Sequence, residues 1–94
     1  MSEKTIEQKL VQAVKTVGGI APKFASPGCG GMPDRIVLLP GGRIAFVEVK
    51  AMGCKPRPLQ LHRHATLRRL EFKVFVLEDT AAIASMLTAI GGEP

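Results

Sequence analysis

The stretch from Gly31 to Lys50, GMPDRIVLLPGGRIAFVEVK, constrains this chain more than any other. Two β-rich apolar runs, Arg35 to Leu39 and Arg43 to Val49, flank the turn signal Pro40-Gly41-Gly42 and read as an antiparallel hairpin. Directly opposed residues of a hairpin point to the same face, so the length of the turn decides which side chains meet. A three-residue loop sets Leu39 opposite Arg43, Leu38 opposite Ile44 and, continued outward, Asp34 opposite Glu48. A two-residue loop would send Asp34 to the other face. Alternation along the second run puts Ile44, Phe46, Glu48 and Lys50 on one side and Ala45, Val47 and Val49 on the other. Both sides are largely apolar, so this is expected to be a central strand.

The rest of the chain reads as support for that hairpin. Its 94 residues are enough for one domain, residues 1–94, built on a single core. With 46% hydrophobic and 22% charged residues the composition is that of a folded protein rather than a disordered one. Ile6, Leu10, Ala13, Val14 and Val17 recur at helical spacing and predict a helix from Glu3 to Val17, stopped by Gly18-Gly19. Glu3 and Glu7 flank its apolar stripe. Residues 20–25 contain Pro22, which donates no ladder hydrogen bond, so they form at most an edge strand. The glycine-rich loop from Ser26 to Gly31 lacks the Gly-Lys-Ser/Thr ending and the strand-to-helix context of a P-loop.

Beyond Lys50 a loop leads to Pro58 and to a predicted helix from Leu59 to Leu70, with Leu59, Leu67 and Leu70 as its apolar side and Gln60 beside them. Phe72 to Leu77 reads as a strand. Asp79-Thr80 supplies a cap for a last helix, Ala81 to Ile90, ended by Gly91-Gly92. That helix carries hardly any charge, so it caps the sheet or meets a second copy of the chain. The predicted order is α-β-β-β-α-β-α, an α/β (α+β) fold whose first strand is weak.

Thirteen Lys and Arg against eight Asp and Glu leave a net charge of +5, which favours a polyanionic partner, nucleic acid first. Lys23, Arg57, Arg63, Arg68 and Arg69 are candidates for phosphate contacts, the bland reading being that most are simply solvated. The absence of Trp and Tyr and the presence of only four Phe argue against an aromatic platform for single-stranded bases. A polar N-terminus, and no apolar run approaching ~18 residues, lead to the expectation of a soluble, cytoplasmic protein. Cys29 and Cys54 are read as free thiols. His62 and His64 cannot share an ion at i,i+2 on a helix. They are expected to be partly exposed, His64 on the basic face.

Asp34 and Glu48, placed together in an apolar setting, repel one another unless they share a proton or bind a cation. Oxygen-only ligands favour a hard ion such as Mg²⁺, and Lys50 lies two residues beyond Glu48 on the same face. Taken alone, Glu48 and Lys50 could equally be an exposed ion pair near a strand end. Pro33, which fixes the chain direction just before Asp34, weighs against that.

Gly31-Met32-Pro33-Asp34, then Glu48-Val49-Lys50, then Gln60 after a Pro-containing loop, resembles the VRR-NUC domain of the PD-(D/E)xK nuclease superfamily, in its compact stand-alone phage and bacterial form. The resemblance implies a mixed four-stranded sheet flanked by helices. It implies that Asp34, Glu48 and the Val49 carbonyl bind Mg²⁺ or Mn²⁺, and that Lys50 orients or deprotonates the attacking water. Gln60 would fix Lys50 or the water. Glu7 would bring a further carboxylate from the first helix, with Glu3 close enough to be confused with it. The implied activity is a homodimeric, structure-selective endodeoxyribonuclease acting on branched DNA such as Holliday junctions, in a bacterial or phage-infected cell. The alternative is a non-catalytic DNA-binding module on the same fold.

Overall fold

A computed structural model describes residues 1–91 of the protein. Helix α1 spans Glu3–Thr16, and Ser2 caps it by accepting from the Thr5 N–H at 3.2 Å. Ile6, Leu10 and Val14, one turn apart, are fully buried. Gly18 turns the chain out of α1 with φ of +88°, and Gly19 lies so close to the Leu38 carbonyl that a Cβ there would clash with it. That approach lets Ile20 exchange both backbone hydrogen bonds with Leu38, at 3.0 and 2.9 Å.

Strands β1, Arg35–Leu39, and β2, Arg43–Val49, pair antiparallel with Leu39 opposite Arg43 and Arg35 opposite Val47. This is the register of a three-residue turn, and one further step outward sets Asp34 against Glu48. Gly41 and Gly42 both take the left-handed conformation that the turn demands. Helix α2, Pro58–Arg69, then crosses one face and returns the chain as β3, Lys73–Leu77, parallel to β2 with Val49 opposite Leu77. The sheet order is β1-β2-β3, with β2 central as expected.

Among the described residues the sheet has three strands rather than the four that the family resemblance implied. Residues 20–24 contribute only isolated bridges, Ile20 to Leu38 and Lys23 to Arg35. Pro22 has no N–H to give, and its carbonyl accepts from Ile36 at 3.1 Å without a return bond. The last helix also starts later than its sequence predicts. Thr80–Ala82 form a 3-10 turn capped by Asp79, and α3 runs Ile83–Gly91, with Gly92 of the expected stop signal outside the described residues.

Helices α1 and α3 lie on one face of the sheet. They enclose the main core of Ile6, Leu10, Val14, Val37, Leu39, Ala45, Val47, Val49, Leu77, Ile83, Met86 and Ile90. On the opposite face the apolar contact reduces to Phe46, Val74 and Leu67, edged by Phe24, Met32 and Ile36. Here α2 departs from its sequence reading. Leu59 and Leu70 are 50% and 60% exposed, and the buried row is Gln60, His64 and Leu67. Those three share one helix face at i, i+4 and i+7. Leu67 packs on Phe46 and Val74, and Gln60 and His64 turn inward because the β2 position beneath them is Glu48, which offers acceptors to their donors.

Candidate active site

The site forms where β1 begins and β2 ends. Pro33 is fully buried and sets the chain direction into Asp34. The Asp34 carbonyl accepts from the Phe24 N–H at 2.8 Å, and its Oδ2 accepts from the Val49 N–H at 2.9 Å. The carboxylate is thus pinned across the hairpin to the residue between Glu48 and Lys50.

Glu48 has no exposed surface. Three side chains address its carboxylate. Gln60 Nε2 donates to Oε2 at 3.0 Å, Lys50 Nζ lies 3.7 Å from the same oxygen, and His64 Nε2 lies 3.4 Å from Oε1. Gln60 Oε1 accepts from the Arg57 N–H at 2.8 Å, which turns its amide NH₂ toward Glu48. Despite these partners, burial first and then the Asp34 carboxylate beside it push the Glu48 carboxyl up to about 7, against a smaller downward pull from Lys50. Ionising Glu48 in this setting is therefore unfavourable with its protein neighbours alone.

His64 stands apart from its sequence reading. It is fully buried, on the face of α2 that meets Glu48 rather than on a basic surface. Burial, then Arg68 and Lys50, lower its pKa and favour the neutral ring. The tautomer with hydrogen on Nε2 donates to Glu48, and Nδ1 has no partner among the described residues. The signal that finds this residue in the sequence is its distance of four from Gln60. His62 is exposed, as expected.

On the α1 side of Asp34 lie Glu7 and Glu3. One carboxylate oxygen from each of the three falls within 4.8 Å of the others. Both first-helix acids reach the site, Glu7 half-buried and held at 3.0 Å by the Arg35 guanidinium, Glu3 exposed. Arg35 is itself anchored by the Ala21 carbonyl at 2.9 Å. Asp34 thus stands between Glu48 and the acids of α1. The donors here are carboxylate oxygens, with the Val49 backbone adjacent, a set suited to a hard divalent cation that would favour the ionised form of Glu48 against its burial.

The candidate phosphate-binding residues divide. Lys23 and Arg57 are exposed. Arg63 Nε donates to the Gly30 carbonyl at 2.8 Å and Arg68 donates to the Val74 carbonyl at 2.8 Å, so both guanidinium groups help to hold the fold. Arg63 ties the glycine loop to α2. Gly31, with φ of +80°, passes so near Leu59 that a Cβ would lie 2.8 Å from its carbonyl oxygen, which explains the glycine as a packing requirement. Cys29 and Cys54 are free, and no helix among the described residues is long and apolar enough to cross a membrane.

No family model matches the chain. It is 52% identical over 88 residues, 94% of its own length and 94% of the relative's, to "Putative nuclease p44" of Acyrthosiphon pisum secondary endosymbiont phage 1. Its fold superposes on a solved structure described as a VRR_NUC domain with a TM-score of 0.84 at 29% identity, covering 93% of this chain and 96% of that one. A sequence relative of nearly equal length and a solved domain of the same architecture agree with the motif on which the hairpin is built, and the chain belongs to the VRR-NUC domain family.

Proposed function

We propose that the domain is a Mg²⁺- or Mn²⁺-dependent endodeoxyribonuclease with PD-(D/E)xK chemistry, acting on branched DNA such as Holliday junctions and working as a homodimer. The family and the nuclease name carried by a relative at 52% identity support the general class. The observation that carries the reading is Glu48, a wholly buried carboxyl pushed up to about 7 beside Asp34, with the Lys50 ammonium 3.7 Å away.

Asp34, Glu48 and the Val49 carbonyl would hold the ion, which supplies Lewis acidity at the scissile phosphate and lowers the pKa of the attacking water. Lys50, only 15% exposed, would orient that water and offset the charge that builds on the phosphate. Gln60 and His64 hold the two oxygens of Glu48, and the Val49 N–H holds Asp34, so both carboxylates are fixed before substrate arrives. Glu7, or Glu3, would accept a hydrogen bond from water at the α1 side. Lys23, Arg57, Arg63 and Arg68 would meet phosphates beyond the scissile one, and the products would carry 5′-phosphate and 3′-hydroxyl ends. A two-fold dimer would present two such sites to a branched substrate. An apolar cavity of about 460 Å³ lined by Val17, Leu39, Pro40 and Leu87 is surface that a second copy could cover.

A synthetic four-way junction incubated with Mg²⁺ or Mn²⁺ tests the reading, with linear duplex and single strand as competitors. Wild type is expected to cut the junction, and Asp34→Ala and Lys50→Ala are expected to lose cleavage. An inactive wild type, or undiminished cutting by both variants, overturns the catalytic claim. Equal cutting of linear duplex overturns the preference for branches, and sedimentation as a monomer overturns the dimer.

A further inference from the structure

The geometry points to a phosphate-binding groove between α1 and residues 20–24, along which one sugar-phosphate strand of the nucleic acid runs away from the carboxylate site. The inference rests on the reading of this domain as a nuclease, and it adds the wall of the protein that holds the flanking strand. The groove has a volume of about 700 Å³, and Lys4, Gln8, Lys9, Gln12, Lys23 and Arg35 line it.

Helical geometry builds the long wall. Positions 4, 8 and 12 follow one another at i+4 along α1 and give a single row of polar side chains, with Lys9 alongside. Lys23 closes the opposite wall because its backbone bridge to Arg35 fixes residues 20–24 against the edge of β1. Lys4, Lys9 and Lys23 are exposed, and none of them forms an ion pair among the described residues. Among the described residues the one carboxylate lining the groove, Glu7, is already matched by Arg35 at 3.0 Å. The charge left over is that of three lysines, with two glutamine amides as neutral donors to phosphate oxygens.

Position then gives the groove its meaning. Glu7 lines the groove and also lies within 4.8 Å, oxygen to oxygen, of Asp34. A strand whose scissile phosphate sits at Asp34 therefore has its neighbouring phosphates at the lysines. From position 4 to position 12, α1 extends about 12 Å at about 1.5 Å per residue. A row of that length is long enough to meet more than one phosphate of a single strand. No aromatic side chain lines the groove, so the contact is to backbone and carries no base preference. On the α2 side, by contrast, Arg63 and Arg68 are partly committed to the carbonyls of Gly30 and Val74.

Fluorescence anisotropy of a labelled duplex across a salt series, in EDTA so that cleavage does not intrude, tests the groove. The triple variant Lys4→Gln, Lys9→Gln, Lys23→Gln is compared with the control Lys15→Gln, Arg43→Gln, Lys55→Gln, which removes the same charge elsewhere from exposed positions. Each lost phosphate contact lowers the slope of log affinity against log salt by about 0.9, so the groove variant is expected to lose about 2 to 3 in slope and at least about tenfold in affinity at 0.1 M salt. The control is expected to lose less than half of that. Equal losses in the two triples, or an unchanged slope in the groove variant, overturn the proposal. Junction cleavage by wild type, measured in parallel, separates the two readings: a groove effect on binding without cleavage leaves the groove and removes the nuclease, and cleavage without a groove effect does the reverse.

Discussion

Against α1 and α3 the sheet sets Val37, Leu39, Ala45, Val47, Val49 and Leu77 onto Ile6, Leu10, Val14, Ile83, Met86 and Ile90, an apolar cluster without a polar member. Against α2 it sets Phe46 and Val74 onto Leu67, and fills the remaining contact with Glu48, Gln60 and His64. Phe24 and Phe72, with ring centroids 5.8 and 5.6 Å from that of Phe46, wall the small cluster. Burying apolar area is favourable at every point of the first face, whereas on the second a carboxylate is taken out of water beside another acid, which is unfavourable until a cation or proton joins it. One face stabilises the domain, and the other uses part of that stability to keep Glu48 in place.

The largest expected effect on that contrast comes from the apolar face. Leu10→Ala, at a fully buried position, should cost about 3 kcal/mol and lower the melting temperature by about 10 °C or more. Cleavage per folded molecule, measured well below the transition, should be unchanged. A loss below about 1 kcal/mol would mean that the face is not the support described here.

Next comes the pH dependence set by Glu48. Its folded pKa of about 7 lies above the ordinary value of 4.5, so its contribution to stability is complete below about pH 4.5 and is lost as pH rises through about 7. His64, whose pKa is lowered, acts in the opposite direction: its contribution is present above pH 6.5 and lost as pH falls through its folded value. Denaturation of wild type and Glu48→Gln in EDTA from pH 5 to pH 8 separates the two. The variant should gain on wild type with rising pH by on the order of a few kcal/mol. Mn²⁺ added to wild type should remove most of the difference, and parallel curves would show that Glu48 is not strained.

His64→Ala is a smaller perturbation of the polar face. It leaves Glu48 Oε1 without its donor and should cost about 1 to 2 kcal/mol. Calorimetric titration of Mn²⁺ should show affinity weakened by about tenfold, with partial recovery in His64→Gln, which keeps a donor amide. Unchanged Mn²⁺ affinity in the alanine variant would reduce His64 to packing. Smallest of all is Leu61→Ala, at a residue 53% exposed on the outer side of α2, which should shift stability by less than about 0.5 kcal/mol in chemical denaturation.

The two faces also differ in how far the sequence discloses them. The apolar face is legible because hydrophobic periodicity and burial have the same cause there. Ile6, Leu10 and Val14 announce α1, and the alternation of β2 assigns Ala45, Val47 and Val49 to the core. On the face under α2 the same rule misleads. It selects Leu59 and Leu70, which lie half in solvent, and passes over His64, because a helix that packs on a carboxylate buries donors rather than hydrocarbon. The strand expected over residues 20–25 shrinks to two bridges for a reason already visible in Pro22.

The sequence by itself determined the hairpin. The number of residues between Leu39 and Arg43 fixes the register, and that register, continued one step beyond its last pair of Arg35 with Val47, brings Asp34 to Glu48, since pairing in a ladder is a matter of counting. Tertiary structure alone decided the rest of the site: that Glu48 is wholly buried, that Gln60 and His64 close on its two oxygens, and that both Glu3 and Glu7 reach Asp34. Those relations join residues on separate elements, and their distances depend on how α1 and α2 pack across the sheet, which no local pattern encodes.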